Sequence, residues 1–123
     1  MKHILIFAGT TEGRELMEKI KHFQVEVFVS VATEYGKECL LKEPEKERTV
    51  STKHGEVQAG NLNIIAGRMK EVEMKRYMEK QAIDLVVDAT HPFAREVTKN
   101  IRTACREAGI SYLRLLRNPS EKD

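Results

Sequence analysis

A doubly wound α/β sandwich, with a parallel five-stranded sheet between two layers of helix, is the fold this sequence predicts. Three observations predict it. Short apolar runs rich in Ile, Val, Leu and Phe alternate with segments of helical spacing, the runs are apolar almost throughout, and 123 residues suit a single domain. A strand that is apolar on both faces needs cover on both, and alternating helices supply it through right-handed crossovers. The strand order 3-2-1-4-5 satisfies those crossovers. It is expected over residues 1–117, with 118–123 as a tail or the start of a linker to a second domain.

In chain order, the strands read "HILIFA", "VEVFVSVA", "LNIIA", "IDLVVDA" and "SYLRLL". Between the first two, "EGRELMEKIKHF" sets Leu16, Met17, Ile20 and Phe23 on one helical stripe. A second helix is expected near Tyr35 to Lys42. Residues 43–56, "EPEKERTVSTKHGE", carry charge, Pro and hydroxyls with little apolar periodicity and read as a mobile surface loop. "VEMKRYMEKQ" places Val72, Met74, Tyr77 and Met78 together. "AREVTKNIRTACREAG" aligns Val97, Ile101, Ala104, Cys105 and Ala108, and Gly109 is a suitable stop.

Charge narrows the function classes. Lys and Arg total 21 against 19 for Asp and Glu, a net +2, and the signs are interspersed. Nucleic-acid binding, which leaves a basic stripe with aromatic interleaving, is not expected. Cys39 and Cys105 match no metal-ligand spacing, so no metal is expected and a reducing compartment, the cytoplasm, suits the chain. "ILIFA" is too short for a secretory core, and nothing approaches a membrane span.

Two junctions carry the chemistry. After the first strand comes "GTTEG": Gly9 lets the backbone approach a ligand, and the free amides at the start of the helix attract anions. Thr10 and Thr11 bring hydroxyls and Gly13 follows at the mouth of the helix. The turn suits a phosphate, or it is a tight turn in which a threonine caps the helix. The full dinucleotide pattern G-x-G-x-x-G is absent, as is the P-loop Gly-Lys pair. The fourth strand ends in Asp88, Ala89, Thr90, His91 and Pro92, polar groups that an apolar interior tolerates only when paired or wet. Asp88 and Thr90 either cap the following helix or serve a site; His91 either packs or meets a ligand; Pro92 fits that helix's first turn. In the predicted order the two junctions face each other across the switch point, where open sheets keep their ligands.

Glu34, after the second strand, stands at the offset from the glycine turn where NAD enzymes keep a ribose-binding carboxylate, and no arginine is near it in sequence. That favours NADH over NADPH; a solvated glutamate is the plainer alternative.

Together "AGTTEGR", "SVATEYG", "AGRM", "IDLVVDATHPFA" and "YLRLLR" resemble the precorrin-6A and cobalt-precorrin-6A reductases of cobalamin biosynthesis, over residues 3–117. The resemblance implies a Rossmann-like domain of a nicotinamide-dependent oxidoreductase that reduces a ring double bond of a tetrapyrrole, a corrin precursor, without metal or flavin. It implies that Gly9, Thr10, Thr11, Glu12 and Gly13 hold cofactor phosphates, that Ser30, Ala32 and Thr33 lie along the adenosine half, and that Asp88, Thr90, His91, Pro92 and Phe93 line the cleft. His91 is the residue expected to orient or protonate, with Thr90 next. Arg95 and Arg68 would meet substrate carboxylates. Family members are about twice as long, so one wall of the cleft is expected from a second domain or a homodimer. The alternative is a nucleotide-binding or partner-docking module without chemistry. A short-chain dehydrogenase is not expected, since Tyr-x-x-x-Lys is lacking, and the acidic pair that a phospho-receiver needs after the first strand is lacking as well.

Overall fold

The computed structural model describes residues 2–9, 11–20, 22–32, 48–50, 57–59 and 61–116. Its elements run β1 (Lys2–Ala8), α1 (Thr11–Ile20), β2 (Val25–Val31), β3 (Arg48–Val50), β4 (Val57–Ala59), β5 (Leu62–Ala66), α2 (Glu71–Lys80), β6 (Leu85–Ala89), α3 (Arg95–Ala108) and β7 (Ser111–Arg114). The helix expected at Tyr35 to Lys42 and the tail 118–123 lie outside the described residues, as does Cys39.

The parallel strands follow the order β5-β2-β1-β6-β7, which is the expected 3-2-1-4-5. Their apolar continuity follows from burial on both faces. Along β1, Leu5 and Phe7 enter a cluster with Met74, Met78 and Ile101 from α2 and α3, while Ile6 enters the opposite cluster around Met17 of α1. Truncating one of these fully buried side chains, Met78 or Ile101, to alanine costs about 2–5 kcal/mol.

Beyond β5 the sheet holds two short antiparallel strands, β4 against β5 and β3 against β4. Part of the stretch expected to be a loop, Arg48–Val50, is therefore a strand. The connection from β4 to β5 is Gly60-Asn61, a pair that suits a two-residue hairpin. Asn61 fastens the hairpin to β2: its Nδ2 donates to the Val25 carbonyl at 2.7 Å, and its own carbonyl accepts the Val27 N–H at 2.8 Å.

The helices end where local chemistry stops them. α1 closes at Ile20, so Phe23, expected on its apolar stripe, lies beyond it and is 65% exposed. α2 buries Met74 and Met78, but Val72 points outward, 59% exposed, because only the 74/78 edge of the helix faces the sheet. Its first turn is tied by Glu73, which accepts the Lys70 N–H at 2.7 Å. α3 buries Ile101, Ala104 and Cys105 and stops at Gly109, whose φ of 71° is left-handed as the expected stop requires.

Candidate active site

The two polar junctions meet. β1 and β6 are parallel neighbours in register, Ala8 opposite Ala89, so the residues leaving both strands start side by side. A β-carbon at Gly9 would lie 3.4 Å from the Thr90 Cα and 3.6 Å from the His91 nitrogen. Those are ordinary contact distances; a side chain there fills the space between the turns without a clash. Gly13 has a different duty. A β-carbon there would stand 2.8 Å from the Ala89 Cβ, so glycine is needed for α1 to lie close over the ends of β1 and β6.

Asp88 is fully buried on the α3 side of β6, and both carboxylate oxygens are filled. Oδ1 accepts the Thr90 N–H at 3.1 Å, the Thr90 hydroxyl at 2.7 Å and Arg114 Nη1 at 3.3 Å; Oδ2 accepts the hydroxyls of Thr98 and Tyr112, each at 2.8 Å. Burial alone would raise its pKa, but the hydrogen bonds from Thr90, Tyr112 and Thr98 outweigh it and hold the carboxyl below its ordinary value. The same charge acts on its neighbours. Burial, followed by the hydrogen bond to Asp88, raises the Tyr112 phenol; burial and the Asp88 charge push the Cys105 thiol up to about 11.

Arg114 joins strand to turn with one nitrogen. Its Nη1 donates to the Asp88 carbonyl at 3.0 Å and to the Thr90 carbonyl at 2.9 Å, besides the carboxylate. The backbone that presents His91 is therefore held from behind by an ionised pair. The proton of the Thr90 hydroxyl goes inward to Asp88, and the Thr98 hydroxyl oxygen lies 3.2 Å from the Thr90 hydroxyl oxygen.

His91 opens a four-residue turn. Its carbonyl accepts the Ala94 N–H at 2.9 Å, which puts Pro92 at the second position, where a fixed φ is favoured. α3 begins only at Arg95, so Pro92 belongs to this turn and not to the first turn of the helix as expected. The imidazole is held locally: Nδ1 accepts the Phe93 N–H at 3.2 Å, and the two rings lie 5.1 Å apart between centroids. An Nδ1 acceptor implies a proton on Nε2 in the neutral ring. The ring is exposed, and Phe93 is 82% exposed beside it.

The other expected residues divide by position. Thr10, Thr33 and Glu34 lie outside the described residues; Thr11 and Glu12 form the first turn of α1. Ser30 is buried within β2, and Ala32 is exposed just past its end. Arg68 is exposed beyond β5, and the preceding Gly67 donates its N–H to the Val31 carbonyl at 2.9 Å, which brings Arg68 beside the end of β2. Arg95 stands on the opposite flank, at the start of α3. The two arginines thus do not share one patch. Thr98, Tyr112 and Arg114 were not foreseen. Among the described residues no group of three or more His, Cys, Asp or Glu is placed to hold a metal ion, and no helix is long and apolar enough to cross a membrane.

A dinucleotide fits what is here: an exposed glycine at the switch point, a helix whose first turn opens beside it, and a crevice that a β-carbon would fill. The fold and site define a doubly wound α/β domain with a polar turn at its fourth parallel strand. Residues 3–123 match the family model described as precorrin-6x reductase CbiJ/CobK, and the chain belongs to that family. It is 32% identical over 119 residues to the precorrin-6A reductase of Mycobacterium tuberculosis, covering 97% of this chain and 41% of that one. The cobalt-precorrin-6A reductase of Priestia megaterium is 28% identical over 111 residues, covering 90% of this chain and 37% of the relative. A solved structure, CobK precorrin-6A reductase, superposes with a TM-score of 0.69 at 25% identity, covering 97% of this chain and 40% of that one. The chain therefore spans about two fifths of the length of the relatives it matches.

Proposed function

We propose that this chain is the nicotinamide-binding part of a reductase that converts precorrin-6A or cobalt-precorrin-6A to the corresponding 6B compound by reducing one ring double bond. The observation that carries this reading is the abutment of Gly9 on Thr90 and His91, in a chain of this family. Gly9 and the first-turn amides of α1 would hold the cofactor phosphates, and Ser30 and Ala32 would flank the adenosine half. A bound dihydronicotinamide supplies hydride.

The chain's own contribution is placement and a proton. His91, with Nδ1 accepting the Phe93 N–H, offers Nε2–H outward to orient the substrate; to deliver a proton to the ring carbon it first takes one up at Nδ1, releasing the Phe93 N–H, and returns to the neutral imidazole after transfer. Asp88 and Thr90 are spent on each other, so their part is to fix the turn rather than to touch the substrate. Pro92 and Phe93 give that turn an apolar rim for the macrocycle, with Arg95 beside it for a substrate carboxylate.

Cofactor choice turns on the end of β2. The offset of Glu34 speaks for NADH, whereas Arg68, beside that strand end through the Gly67–Val31 bond, is suited to the extra phosphate of NADPH. Calorimetric titration of the 123-residue chain tests the reading: NADH or NADPH binds, and Gly9→Val abolishes binding while the fold survives. Saturating concentrations of both with no heat would overturn it. Because the chain spans only part of its relatives, a second reading stands beside the first, a nucleotide-binding or docking module completed by a second domain or a second copy. Nucleotide binding without reduction of cobalt-precorrin-6A, even in single turnover, would select it.

A further inference from the structure

A groove of about 560 Å³ runs between α3 and β7, continuous with the Pro92 turn but directed away from Gly9 along the helix. Arg95, Lys99, Arg102, Arg106 and Arg114 line it, and among the described residues no carboxylate does. The four on α3 are spaced i, i+4, i+7 and i+11, one stripe about 16 Å long at 1.5 Å per residue. Glu96 and Glu107, the acidic residues of α3, fall off that stripe.

Two further features distinguish this stripe from an ordinary solvated helix face. Arg114 is held rigidly and its side chain is only 20% exposed, yet every hydrogen bond it makes to described residues uses Nη1. Among the described residues no hydrogen bond engages its Nη2 or Nε, and Arg114 lines the groove, so its guanidinium keeps donors for an oxyanion. Arg102 lies over the Tyr112 ring, 5.7 Å from the centroid, and is thereby ordered. Leu116, 57% exposed, adds an apolar side.

We infer that this groove is a binding site for a polycarboxylate whose acid groups spread over about 16 Å, with the Arg114 guanidinium taking one carboxylate and the α3 stripe the others. A simple monoanion would engage one or two of these cations and leave the rest in mutual repulsion. A flat, partly apolar molecule carrying acids around its rim satisfies the cations and Leu116 together. The choice of a tetrapyrrole as probe rests on the function proposed above; the groove itself does not.

The test is fluorescence titration of the 123-residue chain with uroporphyrin I, an octacarboxylate, with coproporphyrin I, a tetracarboxylate, and with tripolyphosphate as competitor. The variant is Lys99→Gln/Arg106→Gln, two groove residues outside the Asp88 network. Its charge-matched control is Arg76→Gln/Lys80→Gln on α2. The inference expects uroporphyrin to bind more tightly than coproporphyrin, the groove variant to raise Kd at least tenfold, and the control to leave it within about twofold. Equal losses in both variants, no binding by the wild type, or tripolyphosphate outcompeting the porphyrin at equal charge would overturn it. NADPH titration of the groove variant separates this site from the nucleotide site. Unchanged nucleotide affinity with lost porphyrin supports the groove, whereas an absence of nucleotide binding in the wild type, with the groove effect intact, defeats only the reading above.

Discussion

A β-carbon built on Gly13 would stand 2.8 Å from the β-carbon of Ala89, closer than two such atoms can rest. The helix that follows β1 is thus pressed onto the end of β6, and the two glycines of the first turn divide the labour. Gly13→Ala should destabilise the fold by up to about 2 kcal/mol, an overpacking cost of about 1–3 kcal/mol less the gain of up to about 1 kcal/mol that alanine brings to a helix. Gly9→Ala should leave thermal stability nearly unchanged and weaken nucleotide binding. Melting curves and calorimetry on the two variants check the split; equal destabilisation would sink it.

Removing the charge of Asp88 should unsettle the turn before it unsettles the sheet. Asp88→Asn leaves Arg114 facing a neutral amide in a buried network, a loss on the order of 3–5 kcal/mol. Tyr112→Phe removes one of the five donors and should cost about 1–2 kcal/mol. Denaturant melts give both values, and the order Asp88→Asn above Tyr112→Phe is the outcome to check.

The reach of these residues explains what the sequence could and could not disclose. α3 was legible because Ile101, Ala104 and Cys105 repeat at helical spacing and Gly109 stops the helix locally. The partners of Asp88 were not, because Thr98, Tyr112 and Arg114 lie 10, 24 and 26 residues away and meet it only through the β6–β7 register and the packing of α3. The convergence of Gly9 with His91 was readable from strand order alone. The β3–β4 addition was missed although Gly60-Asn61 between "VQA" and "LNI" marks a hairpin, since charged flanks and three-residue strands give periodicity too little length to register. Arg68 is remote from β2 in sequence; the parallel pairing of β2 with β5 removes the distance.

Stability should fall at both ends of the pH scale for separate reasons. The Asp88 pKa is lowered in the fold, so its contribution is present above the ordinary carboxyl value near 4 and is lost as pH falls through the lower folded value. Cys105 is raised from 9.0 to about 11, so its contribution is full below pH 9 and is lost as pH climbs toward 11. Each pH unit in that alkaline window should remove up to about 1.4 kcal/mol. Cys105→Ala should flatten the curve between pH 9 and 11, which melts at pH 8 and 10.5 will reveal.

His91→Asn keeps an acceptor for the Phe93 N–H and should change stability by no more than about 0.5 kcal/mol. If His91 delivers the proton, single-turnover reduction with the chain in excess should slow by about a hundredfold or more, while cofactor affinity holds. An unchanged rate would assign the proton to water.

Arg68→Gln should raise the Kd for NADPH about tenfold, in line with a charged hydrogen bond worth about 1.5 kcal/mol, and leave that for NADH alone. Parallel titrations decide it. Equal effects on both nucleotides would remove Arg68 from cofactor choice.

The pairing of Phe7 with Asp88 has a consequence for how the chain avoids folding wrongly. Sliding β6 by one residue along β1 would turn Asp88 onto the opposite face, beneath α1, among Ile6, Met17 and Val29 and away from every donor it now has. An ionised carboxylate stranded there would be intolerable, whereas valine and alanine would adapt to either alignment. The acid therefore acts as a proofreader of strand alignment, rejecting the slipped sheet that apolar residues alone would accept.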